Sequence, residues 1–191
     1  MNRKLFLLAS LFVLLTLVAL VQPALCSGDR DKEKDKDFKG VSSGLLVHAT
    51  PQIIYDSIKE LRKRTPDTVK EVSKSEGECI LEEHFDNLPF VGKATCIYVE
   101  KYVPGKLIEY KMLHSDKFKA FEGKWEITPT ADETESHVQL SSFVMLDLPI
   151  PFLKQITNSQ TMKGVKERLE AVKKMAEQHQ QTLGSAIPSR Q

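Results

Sequence analysis

The chain has 191 residues, with 27 Lys and Arg against 26 Asp and Glu, and 41% of its residues are hydrophobic. Such balanced charge excludes the basic footprint a nucleic-acid binder needs, and the length suits one domain with a real core. The three cysteines and five histidines form no C-x-x-C and no ligand spacing, so neither metal nor cofactor is expected.

In chain order, residues 1 to 26 read as a secretory signal peptide. Arg3 and Lys4 precede an apolar run from Leu5 to Val21, and Ala24 and Cys26 put small residues where a signal peptidase cuts. Cleavage after Cys26 is expected, giving a secreted or periplasmic protein. A membrane anchor formed by uncleaved residues 5 to 21 is the alternative, and a lipid-modified Cys26 is a third outcome. Residues 27 to 40 contain DRDKEKDKDFK, where acids and bases alternate and only Phe38 is apolar. That composition cannot bury enough surface to fold, so it is a disordered spacer.

The folded domain spans residues 41 to 180. SSGLLVH, residues 42 to 48, makes a short strand, and Thr50-Pro51 supplies an N-cap with proline at the first helical position. The helix runs to about Arg62, burying Ile54, Ile58 and Leu61, and ends before Thr65-Pro66. From Thr68 the apolar period changes to two, and recurring turn signals divide the chain into six strands. They lie near 68 to 75, 78 to 86, 93 to 103, 106 to 114, 118 to 128 and 137 to 147, an antiparallel meander. After Leu148-Pro149-Ile150-Pro151, apolar residues recur at Met162, Val165, Leu169, Val172 and Ala176. Spacing of three and four marks one face of a long helix. Residues 181 to 191 read as a disordered tail. One curved sheet with a long helix across its concave side buries both apolar faces economically.

Assumed turn centres choose the inward face. A two-residue turn at Pro104-Gly105, another at Ser115-Asp116 and a loop over 130 to 136 set Ile97, Val99, Ile108, Tyr110, Met112, Phe121, Gly123, Trp125, Phe143 and Met145 on one side. In that register Gly123 lies opposite Phe143, where its missing side chain lets the sheet curl. Cys96, Tyr98 and Glu100 fall on the other side. The same reasoning sets Cys96 opposite Glu83, four residues from Cys79, so both cysteines stay unpaired and sit on the outer face. His84, Tyr110, His114, Gln139, Ser141 and Asp147 are the polar groups expected inside.

The segment from Ser115 to Pro129, with Phe118, Phe121, Gly123, Trp125 and Pro129 in the pattern F-x-x-F-x-G-x-W-x-x-x-P, resembles the START-like (SRPBCC, Bet v 1-like) superfamily. The likeness is to its polyketide cyclase/dehydrase and coenzyme Q-binding branch, and it spans residues 41 to 178. Ala49-Thr50-Pro51 before the first helix and Leu148-Pro149-Ile150-Pro151 before the last support it. The chain departs from many members at Arg64 to Asp67, where a second small helix is usual. The resemblance implies an α+β helix-grip fold: a curved antiparallel sheet wrapped around the C-terminal helix, with a hydrophobic cavity between them.

Members bind lipids, sterols, quinones or polyketides, and a minority catalyse reactions. The implied function is an exported carrier for a hydrophobic small molecule. Its expected contacts are Ile97, Val99, Ile108, Tyr110, Met112, Phe121, Trp125, Phe143 and Met145 on the sheet, with Met162, Val165 and Leu169 on the helix. Transient membrane contact is compatible with this, and the oligomeric state is open. The alternatives are a cyclase or dehydratase using His84, His114 and Tyr110, and an interaction module with a filled core.

Overall fold

The computed structural model describes residues 40 to 63, 67 to 88, 91 to 149 and 151 to 185. The expected signal peptide, and the charged spacer up to residue 39, lie outside the described residues. So does most of the tail.

Strand β1 (Val41–Val47) leads into α1 (Pro51–Lys63). Six strands follow: β2 (Val69–Ser75), β3 (Glu78–Leu88), β4 (Gly92–Val103), β5 (Leu107–Ser115), β6 (Phe118–Pro129) and β7 (Ser136–Leu146). Helix α2 (Leu153–Ser185) closes the described chain. All neighbouring strands pair antiparallel in the order β1-β7-β6-β5-β4-β3-β2. This is the expected helix-grip architecture of class α+β. No helix among the described residues is long and apolar enough to cross a membrane.

Local chemistry explains both helices. The Thr50 carbonyl accepts the Ile54 amide at 3.1 Å, which starts α1 where proline needs no donor of its own. Arg62 and Lys63 in the last turn suit its negative end. Phe152 turns the chain into α2 with φ of 60°, and its carbonyl takes the Ile156 amide at 3.2 Å. Helix α2 runs to Ser185, a turn beyond its expected end near Gln181, because nothing in QTLGS forces a stop. Its buried stripe of Val165, Leu169, Val172, Met175 and Ala176 lies on β7, β1 and α1.

The β3–β4 hairpin pairs Cys96 with Glu83 as the turn over 87 to 92 predicts, and both cysteines are free. The other hairpins are shifted, and the parity of each shift decides what faces inward. The β4–β5 loop has three residues, Pro104, Gly105 and Lys106: Val103 pairs with Leu107, and the Lys106 amide reaches the Val103 carbonyl at 3.0 Å. That one-residue slip turns β4 over. Ile97 and Val99 therefore lie on the convex side, half-buried, and Ala94, Cys96, Tyr98 and Glu100 point into the fold.

The β6–β7 loop is likewise one residue off. Pro129 pairs with Ser136, so Gly123 faces Ser142 rather than Phe143. Phe143 and Met145 are thus on the convex side, and Val138, Leu140, Ser142 and Val144 take the inner places. The β5–β6 pairing is shifted by two, setting Tyr110 against Gly123 instead of Phe121. An even shift leaves the face unchanged, so Ile108, Tyr110, Phe121 and Trp125 stay inside. Cys79 and Cys96 pair with Glu100 and Glu83, which places both on the inner face and corrects the outer-face expectation.

Candidate functional site

Gly123 marks the centre of the concave surface. A Cβ there would overlap the Ser141 carbonyl oxygen and the Tyr110 phenol. The missing side chain therefore lets the Tyr110 ring lie flat across β6, its hydroxyl 3.5 Å from the Ser141 carbonyl. Around it Phe85, Tyr98, Tyr110, Phe118 and Phe121 form a continuous set of rings, with Tyr110 and Phe121 centroids 5.1 Å apart and Phe85 and Phe118 5.2 Å apart.

Between these rings and α2 lies a cavity of two lobes that share Tyr110, Phe121, Gly164, Glu167 and Arg168 as walls. It exists because α2 lies on β7, β1 and α1 and stands away from β3, β4 and β5. The first lobe, about 390 Å³, is walled by Phe85, Phe118, Leu140, Val144, Leu153 and Ile156, with Ser142, Thr157, Gln160 and Thr161 among its neutral polar groups and Asp86 as a further carboxylate. The second, about 470 Å³, is walled by Ile58, Trp125 and Val172 and by the charged Arg62, Glu83 and Glu100. Both volumes fall within the range of roughly 300 to 1,000 Å³ typical of small-molecule sites.

Four charges of the second lobe form two ion pairs. Arg168 of α2 donates to Glu83 of β3 at 2.8 Å, and the Tyr98 hydroxyl donates to the other Glu83 oxygen at 3.0 Å. Arg62 of α1 binds Glu100 of β4, which also accepts the Tyr102 hydroxyl at 2.9 Å. Glu100 is 3% exposed, and its burial raises its carboxyl above the ordinary value although Arg62 opposes the shift. Burial likewise pushes the Tyr98 phenol well up and the Tyr110 phenol to about 12. Both remain hydrogen-bond donors at neutral pH. The Glu83 carboxylate raises Arg168, whose charge is permanent in any case. Arg168 retains 44% of its side-chain surface accessible and walls both lobes.

The sequence-predicted contacts divide into three groups. Tyr110 and Phe121 wall both lobes, and Trp125 walls the second. Ile108, Val165 and Leu169 lie in the packed core, while Met112 and Met162 are half-buried. Ile97, Val99, Phe143 and Met145 are on the far side of the sheet. Among the expected polar groups only Tyr110 reaches the cavity. His84, His114, Gln139 and Asp147 are exposed, and Ser141 is bonded to Ser42 at 3.0 Å.

Sequence reasoning missed Arg62, Glu83, Tyr98, Glu100 and Arg168. The legible signal is the alternation Cys96, Tyr98, Glu100, Tyr102, in which an acid sits among side chains able to bond it. Among the described residues no three His, Cys, Asp or Glu could hold a metal ion together.

Comparison with known proteins rests on structure. No protein-family model matches the chain, and no curated protein sequence matches it. Solved structures do. TTHA0849 from Thermus thermophilus matches with a TM-score of 0.62 and 16% identity, over 77% of this chain and 99% of that one. The Zhui aromatase/cyclase from Streptomyces sp. R1128 matches with a TM-score of 0.55 and 17% identity, over 72% and 92%. Norcoclaurine synthase from Thalictrum flavum, solved with dopamine and hydroxybenzaldehyde, matches with a TM-score of 0.51 and 16% identity, over 73% and 86%.

Proposed function

Starting from the START-like helix-grip fold that this chain has, we propose that it is an exported carrier holding one hydrophobic small molecule between the sheet and α2. A lipid, quinone, sterol or polyketide fits this class. The observation that carries the reading is the first lobe, an apolar space of about 390 Å³ with only a few orienting polar groups. Carriage requires just such a pocket.

The cyclase or dehydratase alternative asks for a general base beside the ligand. His84 and His114, its candidates, are exposed and wall neither lobe, which favours carriage over chemistry. Export rests on the signal-like residues 1 to 26. Transient contact with a membrane during loading is part of the same reading. It is supported by Phe152, which is 74% exposed and adjoins Leu153 on the wall of the first lobe.

The test is native mass spectrometry of the protein purified from its source, followed by organic extraction. A single lipophilic molecule bound one to one is the expected result. A protein that carries nothing, and takes up no fatty alcohol, quinone or sterol in titration, would refute the reading.

A further inference from the structure

We propose that the Arg168–Glu83 pair is a partition across the cavity, confining the ligand to the first lobe and setting the upper limit on its size. The inference rests on the carrier reading above. Arg168 walls both lobes and reaches from α2 to β3, where its 2.8 Å bond to Glu83 is braced by Tyr98 at 3.0 Å. No other ion pair among the described residues joins α2 to β3. The pair therefore crosses the space where helix and sheet are otherwise apart.

The two sides of this bridge differ in chemistry. On the first side an alkyl chain or ring meets mainly aromatic and aliphatic side chains, with Asp86 and Glu167 as the carboxylates among them. On the second it would meet Arg62 bonded to Glu100, and Glu83 bonded to Tyr98 and Arg168, hydrogen bonds that it cannot replace. An apolar ligand that grew past Arg168 would have to displace a charge-assisted pair and gain a charged wall in return. The charges also leave no positive excess: the guanidinium groups of Arg62 and Arg168 share these walls with the carboxylates of Glu83, Glu100 and Glu167. A ligand anion would find no uncompensated positive charge there, so the preferred ligand is a neutral amphiphile, with a hydroxyl or carbonyl for the guanidinium or for Ser142, Thr157 and Gln160. Gly164, one turn before Arg168, walls both lobes too, and an added Cβ there meets nothing within 4 Å. The junction is walled by Glu167 and Arg168 from α2 and by Tyr110 and Phe121 from the sheet, and Arg168 is the side chain that bonds across it.

Trp125, the only tryptophan in the sequence, walls the second lobe and not the first, so it reports whether a ligand has crossed. The experiment titrates the full-length protein with straight-chain primary alcohols from hexanol to hexadecanol by calorimetry, with Trp125 emission recorded alongside. In the parent, affinity should rise about fourfold per methylene until the first lobe is filled, then level off, with Trp125 emission unchanged throughout. In Arg168→Ala combined with Glu83→Gln, which leaves no buried charge unpaired, the plateau should move to longer alcohols, and these should shift the emission. A parent whose affinity climbs through hexadecanol with a changing emission would overturn the partition while leaving the carrier reading intact. So would a double variant that keeps the parent's plateau. If no alcohol binds either protein, the partition as stated fails, while the carrier reading is decided separately by the quinone and sterol titrations. Because the parent's own plateau and emission already decide the matter, the inference stays testable even if the double variant folds poorly.

Discussion

The two halves of the concave surface are built from similar elements and end in opposite states. Over β1 and β7, α2 lies close, and Val47, Val138, Leu140, Leu169 and Val172 are each 2% exposed or less. Over β3 to β5 the same helix stands away, and the Arg168–Glu83 pair spans the gap. The packed half holds the helix in place, and the open half is what the placement leaves over. A cavity of this kind needs no special residues of its own, only a helix anchored firmly on one side.

The largest predicted effect lies in the open half, where stability depends on pairing rather than packing. Arg62→Ala strands Glu100 in a site that is 3% exposed and should cost about 3 to 5 kcal/mol in urea unfolding. The parent should also show a pH dependence from Glu100. Its carboxyl is raised above the ordinary 4.5 chiefly by burial, so the folded state holds this proton more tightly than the unfolded chain does. The contribution is therefore greatest below pH 4.5 and is lost as pH rises through the folded value. Glu100→Gln should remove that slope. An unchanged slope would show that another group produces it.

In the packed half, deletion of apolar volume should dominate instead. Leu169→Ala leaves a void beneath α2 and should cost about 2 to 5 kcal/mol. A cost below that of an exposed leucine would mean that α2 is not anchored where β7 and β1 place it.

Two glycines sharpen the contrast between close approach and open space. Gly123→Ala pushes a methyl group into the Tyr110 phenol and the backbone of β7, and should cost about 1 to 3 kcal/mol. Gly164→Ala meets nothing within 4 Å and replaces a poor helix former inside α2. It should stabilise the fold by about 0.5 to 1 kcal/mol. Thermal unfolding of the two variants separates them by sign, and a loss of stability at Gly164 would mean the junction between the lobes is filled.

Much of the architecture is legible in the amino-acid sequence. The order of elements follows from apolar periods and turn residues, because period two and period 3.6 are local properties of a chain. The Glu83–Cys96 pairing follows as well, since the ladder from Glu78 to Phe85 keeps the predicted register and the irregularity lies beyond it, between Phe85 and Leu88. The face of β4 does not follow. Pro104-Gly105 suits loops of two or three residues alike, and Ile97 and Val99 look more like core than Tyr98 and Glu100 do. One residue of loop length reverses that choice.

The sequence by itself determined which segments are strands, which face of α2 is apolar and that the cysteines stay apart. Only the tertiary structure decided that Glu83 and Glu100 could be buried, because their partners Arg168 and Arg62 come from helices remote in sequence. A carboxylate becomes an interior group only once a distant cation is delivered to it, and no local pattern records that delivery.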